Sequence, residues 1–301
     1  MITLDKITKT YNKGAIKAVT DVSLDIRRGE LFGLIGPDGA GKSTLFRILT
    51  TLLLADSGTA IVNSFDVVRD YAKIRSSVGY MPGRFSLYQD LTIEENLHFF
   101  ATVFGTTIKE NYNLIKDIYQ QIEPFKDRRA GRLSGGMKQK LALCCALIHK
   151  PAVLFLDEPT TGVDVVSRKE FWEMLARLKS EGITILVSTP YMDEANRCDR
   201  IALIQKGSIL SVDNPDGIIR GFPGELYGIR ASNTHQLLRE VRNYSGTDTC
   251  FAFGDALHVT FKASANPDNL LPYLKTKGLT NPIFERITPG IEDCFIHLLK
   301  E

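Results

Sequence analysis

At 301 residues, 44% apolar and 24% charged, the chain exceeds the ~100–200 residues of a usual single domain and has the composition of an ordinary globular protein. Its 37 basic and 35 acidic residues nearly cancel, to +2, and no dense basic cluster stands anywhere, so nucleic acid is excluded as an expected partner. No apolar run reaches the ~18 residues of a membrane span, the N-terminus lacks a charged-then-apolar leader, and five scattered cysteines without metal-ligand spacing fit a reduced, cytoplasmic setting.

From Met1 to about Val212, short β-branched runs alternate with helical patterns, which predicts a layered α/β domain. Residues 31–35 (LFGLI) read as a buried strand, and residues 42–53 carry Leu45, Ile48, Leu49 and Leu52 at helical spacing. Between about 84 and 150 the texture turns helical. Thr92 and Glu95 have capping-box spacing before a helix over 96–104, and further helices are expected over 109–122 and 137–149. Strands follow at 153–156 and 183–187. Thr160 and Thr161 are candidate caps for a helix beginning near Val165. The segment NPDGIIRGFPGE reads as a linker. Beyond it the pattern is strand 226–230, helix 234–242, strands 249–253 and 257–261 joined at Gly254-Asp255, helix 267–275, strand 282–287 and helix 291–299, a small α+β unit of split βαβ type. The expected domains are residues 1–220 and 221–301.

Gly36-Pro37-Asp38-Gly39-Ala40-Gly41-Lys42-Ser43 matches G-x-x-x-x-G-K-[ST] after a strand and opening a helix. Glycines let the loop wrap closely, so that its N–H groups and the helix N-terminus face phosphate oxygens. Lys42 would reach the β- and γ-phosphates of ATP, Ser43 would ligate Mg²⁺, and Thr44 follows in the binding stretch. Val153-Leu154-Phe155-Leu156-Asp157-Glu158 ends a buried strand in two carboxylates. Asp157 would hold Mg²⁺ through water, and Glu158 would polarise the attacking water as the catalytic residue.

With Leu133-Ser134-Gly135-Gly136 at the start of a helix between those two motifs, the chain resembles the ATP-binding cassette family, over residues 1 to about 212. The resemblance implies a P-loop NTPase nucleotide-binding domain with an inserted helical subdomain. It further implies that Ser134, Gly135 and Gly136 contact ATP held by a second cassette, that Tyr11 stacks on adenine, and that Asp164 in Thr161-Gly162-Val163-Asp164 lies at the contact between cassettes. ATP hydrolysis with Mg²⁺ would drive a separate polytopic permease from the inner face of the cell membrane. In GRFSLYQ (83–89), Phe85, Leu87 and Tyr88 would either meet that permease or pack the helical subdomain. Pro289-Gly290-Ile291-Glu292-Asp293-Cys294-Phe295 is similar to the tail of exporter cassettes. A soluble, non-transport ATPase and a weak regulatory cassette are the alternatives.

Two positions depart from the family pattern. Gly83 stands where a glutamine is expected, and Pro190 in VSTPYMDEA where a histidine is expected. Neither can position water, and loss of such groups commonly costs on the order of 10²–10³-fold in rate. A slow site paired with a faster one on a different cassette is the expectation, unless Tyr191 or Gln89 compensates. His235, His258 and His297, far apart in sequence, read as isolated side chains.

Overall fold

In the computed structural model, which describes residues 1–279 and 281–299, the chain opens on an antiparallel pair, β1 (Ile2–Tyr11) and β2 (Ile16–Ile26). The buried faces of this pair carry Ile2, Leu4, Ile7, Val19, Val22, Leu24 and Ile26. Strand β3 (Leu31–Ile35) is buried along its whole length and leads through a glycine loop into α1 (Lys42–Leu49). Then come β4 (Ser57–Val62), β5 (Phe65–Asp66), α2 (Tyr71–Ser77) and β6 (Val78–Met81). Three helices follow, α3 (Ile93–Val103), α4 (Ile108–Tyr119) and α5 (Gly135–Leu147). The first unit closes with β7 (Val153–Asp157), α6 (Val165–Ser180), β8 (Thr184–Thr189), β9 (Arg200–Gln205) and β10 (Ser208–Asp213).

Two sheets result. One has the order β2-β1-β4-β5; the other has the order β10-β9-β3-β8-β7-β6, parallel except at β10. Parallel strands buried on both faces read as unbroken apolar runs, as 31–35 and 153–156 do. Strand tips β3, β7 and β8 are thereby brought side by side, and Phe46 of α1 packs edge-on against Phe155 of β7 with ring centres 6.0 Å apart. In the helical region Thr92 and Glu95 exchange both capping-box bonds (3.1 and 2.8 Å), and Thr107 and Glu110 form a second such box.

The structure differs from the sequence pattern at two places in this unit and at one just beyond it. Helix α1 stops at Leu49, where Thr51 adopts a left-handed backbone and the Arg47 carbonyl accepts from both Leu52 and Leu53 N–H; Leu52 is 58% exposed instead of lining the core face. The cap of α6 is Asp164, which accepts from Val166 and Ser167 N–H (3.1 and 3.0 Å), and neither threonine. Helix α7 (Pro215–Arg220), with Ile218 buried, occupies the stretch read as a linker.

The chain divides into units between Pro215 and Asp216. In the second, β11 (Leu226–Arg230), α8 (Thr234–Asn243), β12 (Thr247–Phe253), β13 (Ala256–Phe261), α9 (Leu270–Thr276), β14 (Ile283–Ile287) and α10 (Ile291–Leu298) form an antiparallel sheet of order β12-β13-β11-β14. This is the split βαβ arrangement. Gly254-Asp255 makes the β12–β13 turn, Gly254 with φ +57°. Two of the three histidines are not isolated: the His297 ring meets Phe222 with centres 5.6 Å apart, and His258 Nδ1 lies 2.7 Å from the buried Asp293 carboxylate of α10, a pairing that spans 35 residues.

Candidate functional site

The loop between β3 and α1 is shaped by backbone demands. Gly41 has φ +105°, and a Cβ there would run into the Ala18 carbonyl oxygen, so no other residue fits. A Cβ on Gly39 (φ +76°) would meet nothing within 4 Å. The loop is moored from outside, because Gly207 N–H donates to the Ala40 carbonyl (2.9 Å) while the Gly207 carbonyl accepts from Thr20 N–H (2.8 Å). Gly36 and Ala40 are buried, Pro37, Ser43 and Thr44 half-buried, and Asp38 and Gly39 exposed.

Lys42 is 3% exposed, and its ammonium donates to the Gly36 carbonyl (2.7 Å) and the Pro37 carbonyl (3.0 Å) and pairs with Glu158 Oε1 (3.1 Å). A buried charge is costly unless it is paired and hydrogen-bonded in this way. The loop and the tip of β7 are therefore joined by one cation.

At that tip Asp157 is buried and accepts from Ser188 Oγ of β8 (2.6 Å). Glu158 N–H donates to the Ser188 carbonyl (3.1 Å) and to Ser188 Oγ (3.0 Å), and Glu158 itself is left-handed, with φ +51°. Ser188 thus orients both carboxylate-bearing residues, a role no local pattern announced. Nearby, burial and then the Asp157 charge push the Tyr80 hydroxyl up to about 12.

Of the remaining predicted residues, Tyr11 and Gly83 adjoin this centre. Tyr11 ends β1 with its hydroxyl 3.4 Å from Thr44 Oγ1, opposite the exposed Ile16. Ser134 is exposed and caps α5 through Met137 N–H (3.3 Å); Gly135 is exposed, and a Cβ on Gly136 would sit 2.8 Å from Ser167 Oγ of α6. The contacts of Ser134 and Gly136 lie on α5 and α6, not on this chain's own phosphate loop. Gly83 flanks the tip of β7, for a Cβ there would stand 3.0 Å from the Asp157 carbonyl and 3.8 Å from Glu158 Cβ. Pro190 follows β8 directly. Tyr191 is engaged elsewhere: its ring lies 4.3 Å under the Arg168 guanidinium and its N–H donates to Thr189 Oγ1 (3.1 Å). The Gln89 backbone carbonyl accepts from Gly131 N–H (2.8 Å), and its side chain lies close to Gly131.

A groove of ≈ 200 Å³ lies in the same unit, lined by Leu52, Tyr80, Leu87, Phe100, Phe104 and His149 among others. Burial holds the His149 imidazole below its ordinary pKa, and its Nδ1 has no partner. Asn96 of α3, fully buried, anchors one rim by bonding both N–H and carbonyl of Tyr88 (3.1 and 3.0 Å). Of the loop aromatics, Tyr88 is exposed and stacks edge-on with Phe99, and Phe85 lies under the Lys138 ammonium (5.5 Å).

The donor chemistry fits a magnesium nucleotide. A glycine loop that opens a helix, one buried lysine and two hard oxygen donors, Ser43 and Asp157, suit a cation that keeps several waters and binds phosphates. Among the described residues no group of three or more His, Cys, Asp or Glu is placed to hold a metal. Also among them, no helix is long and apolar enough to cross a membrane.

This arrangement defines a nucleotide-binding cassette, and the chain belongs to the ABC transporter family, whose model matches residues 19–161. It is 37% identical over 304 residues to the probable multidrug ABC transporter ATP-binding protein YbhF of Escherichia coli, covering 99% of this chain and 52% of that protein, so it spans about half the length of this relative. It is 34% identical to the Nod factor export ATP-binding protein I of Bradyrhizobium diazoefficiens over 99% of this chain and 95% of that one. Among solved structures, the ATP-binding cassette MJ0796, a dimer in a post-hydrolysis state bound to ADP and Pi, superposes with a TM-score of 0.64 at 26% identity, covering 71% of this chain and 98% of that chain.

Proposed function

We propose that this chain is the ATP-hydrolysing cassette of an exporter, acting on the inner face of a cell membrane with a second cassette and a polytopic permease. The observation that carries the reading is the Lys42–Glu158 pair, 3.1 Å apart, which brings a phosphate-seeking cation and a water-polarising carboxylate to one point beside Asp157. Residues 36–44 bind the triphosphate through backbone N–H groups, Lys42 and the hydroxyls of Ser43 and Thr44. Tyr11 supports the adenine. Magnesium, held by Ser43 and through water by Asp157, neutralises charge on the β- and γ-oxygens when bound. Glu158 accepts a proton from water as its oxygen bonds to the γ-phosphorus; the bond to the bridging oxygen breaks, and ADP and phosphate leave.

Ser134, Gly135 and Gly136 serve the nucleotide of the facing cassette, and the loop before Asp164 meets it. The groove lined by Leu87, Phe100 and Phe104 receives a helix of the permease. The names of the relatives support export; cargo recognition belongs to the permease. Because Gly83 and Pro190 flank Glu158 without a side chain to hold water, this chain's own site turns over slowly while its signature completes a faster one. The test is co-purification of the native complex with subunits identified, followed by hydrolysis assays. A mixture with a glutamine- and histidine-bearing cassette should hydrolyse ATP well above this chain alone. Equal rates would overturn the asymmetric reading, and absence of any membrane partner would overturn the transport reading.

A further inference from the structure

Glu194 is a carboxylate 3% exposed, in the short helical turn after β8, and it has no part in the scheme above. It accepts from Thr189 Oγ1 (2.5 Å) and Thr160 Oγ1 (3.1 Å), both threonines buried, and from Arg168 Nε (3.1 Å). Arg168 is held in turn by Asp193 (3.2 Å) and by the Tyr191 ring. The three partners belong to three different pieces of the site. Thr189 adjoins Ser188, which fixes Asp157 and the Glu158 backbone. Thr160 lies two residues past Glu158. Arg168 sits in the first turn of α6, just after the cap Asp164. One buried carboxylate therefore grips both ends of the loop over 159–164 and ties them to the tip of β8.

We infer that Glu194 is a positioning residue for hydrolysis, setting the left-handed backbone and hence the aim of Glu158. The inference rests on the reading that ATP is hydrolysed at this site. A carboxylate this deeply buried is costly unless charge-assisted bonds satisfy it, and here they do so by joining elements that bear the reacting groups. Proline at 190, directly after β8, brings no hydrogen-bond donor of its own, so the aim of Glu158 depends on the clamp.

The test is single-turnover hydrolysis of MgATP by the full chain in excess, which reads slow rates and yields nucleotide affinity from the protein dependence. Glu194→Ala should lower the limiting rate about 10- to 100-fold, the scale of a small misplacement, while affinity stays within about threefold. Glu194→Gln, which keeps an acceptor for the threonines, should recover part of the rate. Thr160→Val removes one donor, keeps the branched shape and leaves the Arg168 pair intact; it carries the test if Glu194→Ala does not fold, and should show the same split. Rates within twofold of wild type, or rate and affinity falling by one common factor, would overturn the inference. Wild-type chain that binds no ATP would instead overturn the nucleotide reading itself.

Discussion

Replacing Lys42 by alanine probes the centre of the site. Its ammonium has three oxygen partners within the chain, at 2.7, 3.0 and 3.1 Å, so nucleotide binding exchanges contacts instead of adding them. That pulls the gain from a phosphate contact toward the low end of the 1.5–3 kcal/mol of a charged hydrogen bond, about 1.5 kcal/mol. Removing the lysine also leaves Glu158, 22% exposed, as an uncompensated negative charge beside the phosphates, which adds about 1 kcal/mol of repulsion in a partly screened setting. The sum, about 2–3 kcal/mol, is a roughly 30- to 150-fold weaker Kd. Titration calorimetry with MgATP and with AMP measures it, since AMP lacks the phosphates that Lys42 reaches and should lose little. The double variant Lys42→Ala/Glu158→Gln should regain the repulsive part. If Lys42→Ala binds MgATP as tightly as wild type, or AMP loses as much as ATP, the phosphate-loop assignment is wrong.

Glu158→Gln should strengthen ATP binding and nearly abolish hydrolysis, since the amide neither competes for Lys42 nor takes a proton; equilibrium binding and phosphate release report the two effects separately. Pro190→His should raise turnover by about 10-fold or more by restoring a group able to position water, whereas Gly83→Gln alone should give no gain and a lower Tm, because its Cβ would press on the Asp157 carbonyl at 3.0 Å. Phe155→Ala, which opens a cavity against Phe46, should cost about 3–5 kcal/mol in chemical denaturation. The Asp56 carboxyl, bonded first by Lys9 and then by Thr10, is lowered from 3.8 to about 2. Its contribution to stability is therefore full above pH 3.8 and lost as pH falls through about 2, so Asp56→Asn should flatten the urea midpoint against pH across that window.

How much could be read without coordinates depended on the range of the forces involved. The phosphate loop, the apolar strands at 31–35 and 153–156 and the Thr92–Glu95 cap are set by neighbours within a few residues, and all stand where the pattern put them. Local logic failed where distant groups competed. The helical spacing of Leu52 lost to a left-handed turn at Thr51, which exposes Leu52 and makes it part of the groove lining. Thr160, a reasonable cap by position, is drawn to Glu194, and Asp164 caps α6 in its place.

By itself the chain of letters declared its family, the glycine loop after a buried strand and the residue types at 83 and 190, because glycine spacing, strand apolarity and the identity of a residue are local properties. Only the tertiary structure decided that Ser188 braces Asp157 and Glu158, that Glu194 joins three elements, and that His258 meets Asp293. Those partners lie up to 35 residues apart. They meet because parallel strand pairing and sheet–helix packing bring their ends together, and burial then requires each polar group to find a mate.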